Sequence, residues 1–212
     1  MAAEHSEPRE GLLVDWGGVL TTDLFASFAA FAEAEGLDTA RVRGLFRDDR
    51  DARRLLIDLE TGAMQEEDFE PRLAEALGVA AHAGLIDRMF AGAQADPVMI
   101  AAVRGAHEAG VRTGLVSNSW GTRRYPRELL EELFDGVVIS GEEGMRKPDP
   151  RMYELGAERA GLPADRCVYV DDLAFNLEPA AALGMATVHH TDAATTVAEL
   201  ERLLGRALRA PA

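Results

Sequence analysis

Short apolar runs that close on polar residues alternate with helical periodicity along this chain. Leu12, Leu13 and Val14 read as a buried strand running into Asp15 and the Gly17-Gly18 turn. From Asp23 to about Ala95 the period changes. Leu24, Phe25, Phe28 and Phe31 recur at three- and four-residue spacing until Gly36 stops the helix. Val42, Leu45 and Phe46 begin a second helical stretch, and Leu55, Leu56 and Leu59 a third. Thr61-Gly62 breaks that one, and Phe69, Leu73 and Leu77 carry the pattern to Gly78. This stretch contains no strand pattern.

Strand and helix then alternate. Residues 100–109 predict a helix closed by Gly110, 111–117 a strand, 126–134 a helix and 136–140 a strand. Asp149 as N-cap with Pro150 at the first helical position starts a helix over 150–160. Residues 167–171 predict a strand, 178–183 a helix, 186–189 a strand and 195–208 a final helix. Such alternation implies an α/β fold, a doubly wound, mainly parallel, Rossmann-like sheet. The expected division is a core of residues 1–22 and 96–212 with a helical insertion over 23–95.

Composition narrows the function classes. The 212 residues carry 22 Lys+Arg against 37 Asp+Glu, a net charge of −15. An acidic chain lacks the clustered cations that nucleic acid or an anionic membrane requires, so neither is expected as a partner. Cys167 is the single cysteine, which excludes an intramolecular disulfide and a Cys-rich zinc site. Residues 1–10 are polar and acidic, and no apolar run reaches membrane-spanning length. The expectation is a soluble cytoplasmic protein. Of the 22 cationic residues, Lys147 is the one lysine.

Ligands of open α/β sheets bind at the carboxyl ends of the strands. The predicted strands deliver Asp15, Ser117 with Asn118, and Asp171 with Asp172 there, and Lys147 precedes a helix nearby. Three carboxylates and one ammonium sum to −2, a charge that one Mg²⁺ offsets. Oxygen-only ligands suit that hard cation.

These segments resemble the four motifs of the haloacid dehalogenase-like (HAD) hydrolases, in order: Leu13-Val14-Asp15-Trp16-Gly17-Gly18-Val19, Gly114-Leu115-Val116-Ser117-Asn118, Arg146-Lys147-Pro148-Asp149-Pro150, and Val168-Tyr169-Val170-Asp171-Asp172 through Asn176. The insertion after the first motif resembles that family's helical cap. The resemblance implies a phosphatase of a small phosphorylated metabolite, with Asp15 as nucleophile and an aspartyl-phosphate intermediate. Ser117 and Asn118 would bind the phosphoryl group, and Lys147 would neutralise charge. Asp15, Asp172, Asp171 and the Gly17 carbonyl would hold Mg²⁺, and Asn176 would orient the acidic loop.

One position departs from the pattern. The family's phosphatases usually carry a second Asp, the general acid–base, two residues after the nucleophile, where this chain has Gly17. Asp23 or His189 are the substitutes considered. The alternatives are a phosphate-binding regulatory protein, a dehalogenase (disfavoured by Asp171-Asp172) and a phosphonate hydrolase (disfavoured by the absence of lysine from 23–95). The remaining residues read blandly. Trp16 and Trp120 read as core or rim aromatics, Arg123 and Arg124 as a solvated loop, and His5, His82 and His107 as surface residues. His189 and His190 face opposite ways, which disfavours a paired-His metal site, and Cys167 reads as packing.

Overall fold

The computed structural model describes residues 7–208. Five strands, β1 (Gly11–Val14), β2 (Arg112–Ser117), β3 (Gly136–Ile139), β4 (Cys167–Asp171) and β5 (Ala186–His189), form one sheet in the order β3-β2-β1-β4-β5. All its pairings are parallel. The chain builds outward from β1 to β3, then crosses to the other side of β1 for β4 and β5. The strand order therefore reverses at β1, and at such a switch point the loops part and leave a crevice above the carboxyl ends.

Alternate residues of the strands serve the two faces. Leu12, Val14, Leu115, Val168 and Val170 pack under α6 (Pro97–Glu108), α7 (Arg127–Leu133) and α11 (Ala193–Leu204). Leu13, Val116, Val138 and Tyr169 pack under α9 (Pro150–Ala160) and α10 (Ala174–Ala182). The short helix α8 (Ser140–Glu143) follows β3 directly.

Five helices lie between β1 and α6: α1 (Leu24–Ala34), α2 (Thr39–Asp48), α3 (Arg50–Glu60), α4 (Glu66–Leu77) and α5 (Leu85–Phe90). They enclose an apolar core of their own, centred on Phe31, Leu55, Phe69, Leu73 and Met89. The chain leaves and re-enters the sheet layer through adjacent segments, with Thr21 bridging Ala95 and the Asp96 N–H donating to the Leu20 carbonyl at 2.9 Å.

Three helix boundaries differ from the sequence expectation, two of them because of a local cap. Helix α6 starts at Pro97 rather than 100, because the Asp96 carboxylate accepts from the Val98 and Met99 N–H groups. Helix α10 starts at Ala174 and runs through Pro179. Helix α11 ends at Leu204 because Gly205 takes the left-handed conformation that caps it. Among the described residues no helix is long and apolar enough to cross a membrane. His5 lies outside the described residues.

Candidate active site

A cavity of about 1040 Å³ lies at the carboxyl edge of the sheet, between it and the inserted helices. Asp15, Gly17, Ser117, Asn118, Lys147 and Asp172 all line it. Lys147 is fully buried, and its Nζ meets three oxygens: Asp15 Oδ1 at 2.9 Å, Asp171 Oδ2 at 2.8 Å and the Tyr169 hydroxyl at 3.0 Å. Burial pushes the Lys147 ammonium down, but the two carboxylates outweigh it and hold its pKa above the usual lysine value.

The three aspartates differ in what their oxygens already do. Asp171 is fully buried, and its carboxylate accepts from Lys147, Tyr169, Asn176 and the Leu173 N–H. Burial raises its pKa, but Lys147 and these hydrogen bonds outweigh burial and hold it below the usual range. Asp15 Oδ1 accepts from the Trp16 N–H at 2.7 Å as well as from Lys147. Burial and the Asp171 charge raise Asp15 to about 6 against the pull of Lys147. Burial, Asp15 and Asp171 raise Asp172 to about 7. Asp171 thus orders the site from behind the lysine, while Asp15 and Asp172 face the cavity.

Carboxylate oxygens of Asp15, Asp171 and Asp172 lie within 4.8 Å of one another. The donor set is all oxygen and carries excess negative charge, so it fits a hard dication. Gly18 makes room for the Asp172 carboxylate. Its φ is +72°, and a Cβ there would stand 2.4 Å from Asp172 Oδ2. The sharp turn and the close approach of the Asp172 carboxylate both require glycine.

Ser117 is buried, with its Oγ 2.8 Å from the Tyr125 hydroxyl at the cavity wall. The Asn118 side chain is committed elsewhere. Its Oδ1 accepts from the Lys147 N–H at 2.8 Å, and its Nδ2 donates to the Lys147 carbonyl at 3.1 Å. This two-point clasp fixes the lysine's backbone and uses one of the two amide N–H groups, while Asn118 still lines the cavity beside Ser117.

A family model for haloacid dehalogenase-like hydrolases matches residues 10–184, which contain all of these side chains. The chain belongs to this family. It is 42% identical over 74 residues to sesquiterpene phosphatase astK of Aspergillus oryzae, a match covering 35% of this chain and 38% of that protein. It is 32% identical over 125 residues to a glyceraldehyde 3-phosphate phosphatase of Methanopyrus kandleri, covering 57% of this chain and 52% of that protein. Its matches span between 10% and 52% of the curated relatives' own length. A HAD family enzyme of Bacteroides thetaiotaomicron, solved with magnesium and inorganic phosphate, shares the fold with a TM-score of 0.63 and 19% identity, over 86% of this chain and 94% of that one.

The hydrolase also places residues that the sequence reading put elsewhere. Asp23 caps α1 through the Phe25 N–H, and the His189 Nε2 lies 2.9 Å from the Asp172 backbone carbonyl; neither lines the cavity. Arg123 is exposed, as expected of a solvated loop, and Arg124 is half-buried, but neither is without partners. Both pair with Glu66, at 2.8 and 2.9 Å, and with Asp87, at 3.2 and 2.6 Å, tying the loop after β2 to the inserted helices. Trp120 inserts among Phe28, Phe46, Phe69 and Phe90 of those helices, with ring centroids 5.4–5.9 Å apart.

Glu60 escaped the sequence reading. It is a buried carboxyl of the cavity wall, paired with Arg146 at 2.5 Å, and burial raises it to about 7. The signal for it is its place four residues after Leu56, on the cavity side of α3.

Proposed function

We propose that this hydrolase is a Mg²⁺-dependent phosphatase of a small phosphorylated metabolite, with residues 23–95 acting as a cap over a core of 1–22 and 96–212. The observation that carries the reading is Lys147, buried between Asp15 and Asp171 at the switch point of the sheet. Asp15 attacks phosphorus, the bond to the substrate's ester oxygen breaks, and that oxygen leaves with a proton from water. A second water attacks the aspartyl-phosphate, phosphate departs and Asp15 is restored. Lys147 offsets negative charge on the nucleophile, and the Ser117 hydroxyl donates to the phosphoryl oxygens. Bound by Asp15, Asp172 and the Gly17 carbonyl, Mg²⁺ supplies the positive charge that admits a phosphate dianion. The likeness to two phosphatases supports this reading. The test is phosphate release from acetyl phosphate and p-nitrophenyl phosphate, with Mg²⁺ and with EDTA. Release in EDTA equal to that in Mg²⁺ overturns the metal assignment, and no release in either overturns the phosphatase.

The second reading, a phosphate-binding protein without turnover, has one observation in its favour. A Cβ on Gly17 would lie 2.7 Å from Leu24 Cδ1, so an apolar side chain of α1 fills the place of an acid–base carboxyl. A prediction follows for leaving groups. Gly17→Asp combined with Leu24→Ala raises kcat on an alkyl phosphate by about 10²-fold, the low end of general acid catalysis. The same variant changes p-nitrophenyl phosphate little, because p-nitrophenolate leaves without a proton. Equal effects on both substrates would show that the new carboxyl donates no proton.

Stability should depend on pH and metal together. Asp15 and Asp172 titrate above ordinary carboxyls, so the native state holds protons that the unfolded chain has lost. That stabilisation is complete below about pH 4 and fades as pH rises through 6 to 7. In EDTA, Tm falls by about 5 °C or more between pH 5 and pH 8. Mg²⁺ raises Tm at pH 8 and leaves it nearly unchanged at pH 5, where both carboxyls are protonated. Asp172→Asn flattens both dependences. A Mg²⁺ effect of equal size at the two pH values would refute the assignment.

A further inference from the structure

Away from the aspartates the cavity wall is aromatic. Phe28, Phe46 and Phe90 surround Trp120 with ring centroids 5.4–5.5 Å away, and Leu56 continues the wall. These rings are only partly buried although they pack against the core of the inserted helices. Phe25 and Phe175, 38% and 55% exposed, also line the cavity, although large hydrophobics are seldom left this open without a partner. Arg43, whose guanidinium sits 5.5 Å from the Phe25 ring centroid, lines it too, as do Arg47 and Arg53. The inserted helices are acidic, with 8 Arg against 15 Asp+Glu over 23–95, yet apart from Glu60, which pairs with Arg146, the side they turn to the cavity is apolar and cationic.

Resting on the phosphatase reading above, we propose that the substrate is a phosphate monoester of an extended apolar alcohol. The phosphate meets Asp15, Lys147 and Ser117, and the apolar body lies along Phe28, Phe46, Phe90 and Trp120. The volume stands at the top of the roughly 300–1,000 Å³ range of small-molecule sites, far more than a phosphate needs. A sugar phosphate would turn its hydroxyls toward ring faces and edges that offer no hydrogen bonds in return. An alkyl chain instead leaves water for matching apolar surface, and each methylene adds to binding. Arg43 and Arg53 draw in the phosphate of such a substrate while their stems continue the apolar surface; Arg47 is held by Asp48 at 2.7 Å.

The experiment uses the full chain and straight-chain alkyl phosphates of two, six and ten carbons, each below its aggregation limit, with glucose 6-phosphate and acetyl phosphate beside them. kcat/KM is expected to rise at least about 100-fold from ethyl to decyl phosphate and to be lowest on glucose 6-phosphate. Phe28→Ala lowers the decyl-to-ethyl ratio by about tenfold. Phe25→Glu, at a more exposed position, lowers it in the same direction should the first variant misfold. A second readout is independent of turnover. Both tryptophans of the chain, Trp16 and Trp120, line the cavity. Their fluorescence in Asp15→Asn protein with Mg²⁺ reports binding, which should tighten from ethyl to decyl phosphate.

A flat chain-length series with acetyl phosphate turned over overturns the substrate class and leaves the phosphatase standing. No turnover of any substrate, acetyl phosphate included, with binding that tightens along the series, removes the phosphatase and supports the apolar ligand. Absence of both removes both.

Discussion

Asp15→Asn protein releases phosphate at least about 10⁴-fold more slowly than wild type, yet unfolds at an equal or higher temperature at pH 8. Both halves follow from the site. The substitution keeps the shape of the side chain and removes the oxygen that attacks phosphorus. Loss of a nucleophile costs a rate factor of this size or more, because the remaining groups act on nothing. The stability half follows from charge. Asp15 is a buried carboxyl raised to about 6 by burial and by Asp171, so at pH 8 its ionised form is held against its preference. A neutral amide removes that repulsion, and Lys147 keeps Asp171 at 2.8 Å and Tyr169 at 3.0 Å. Steady-state kinetics on acetyl phosphate and thermal unfolding in EDTA check the pair. Residual activity above about 1% would show that Asp15 is not the nucleophile. A large drop in Tm would show that its carboxylate holds the fold together. The opposed signs are those of a group kept for activity at the expense of stability.

Much of this site was legible because its parts are local signals. Asp149 and Pro150 start α9 where the cap rules put it, and Asp15 and Asp171 stand at strand ends because the apolar runs before them stop there. What stayed hidden depends on contacts across the chain. Nothing near Asn118 says that its amide will clasp the backbone of Lys147, 29 residues on. Arg123 and Arg124 look solvated until α4 and α5 bring Glu66 and Asp87 beside them. No sequence signal marks the hydroxyls of Tyr125 and Tyr169, which hold Ser117 and the Lys147–Asp171 pair. The character of the cavity-facing side of the inserted helices was invisible for the same reason. Their net charge is acidic, while the side lining the cavity is aromatic and carries arginines, a difference that only the packing of α1, α2 and α3 decides.

Lys147→Met abolishes activity and destabilises the fold, the reverse combination to Asp15→Asn. Methionine matches the length of the lysine stem but leaves Asp15 and Asp171 facing each other in a buried site. Removing one partner of a buried ion pair typically costs about 3–5 kcal/mol, because the other charge stays behind uncompensated. Here two remain, and one of them, Asp171, is held well ionised chiefly by this lysine. The lost stability therefore depends on pH with a definite sign. In the variant the Asp171 pKa rises, so the native state binds a proton that the unfolded chain does not. The destabilisation is small near pH 5 and full at pH 8. Adding Asp171→Asn to Lys147→Met recovers part of the stability at pH 8 and none of the activity, which separates the electrostatic role of the lysine from its effect on phosphoryl transfer. Lys147→Arg does not restore activity. A planar guanidinium cannot reproduce the point at which one nitrogen meets Asp15, Asp171 and Tyr169 within 3.0 Å. Urea unfolding at pH 5 and pH 8, with phosphate release on the same samples, decides the matter. A single variant as stable as wild type at pH 8 would mean that the ammonium does not hold the buried carboxylates. The chain uses arginine at every other cationic position and lysine at 147, where one compact ammonium must serve three oxygens at once.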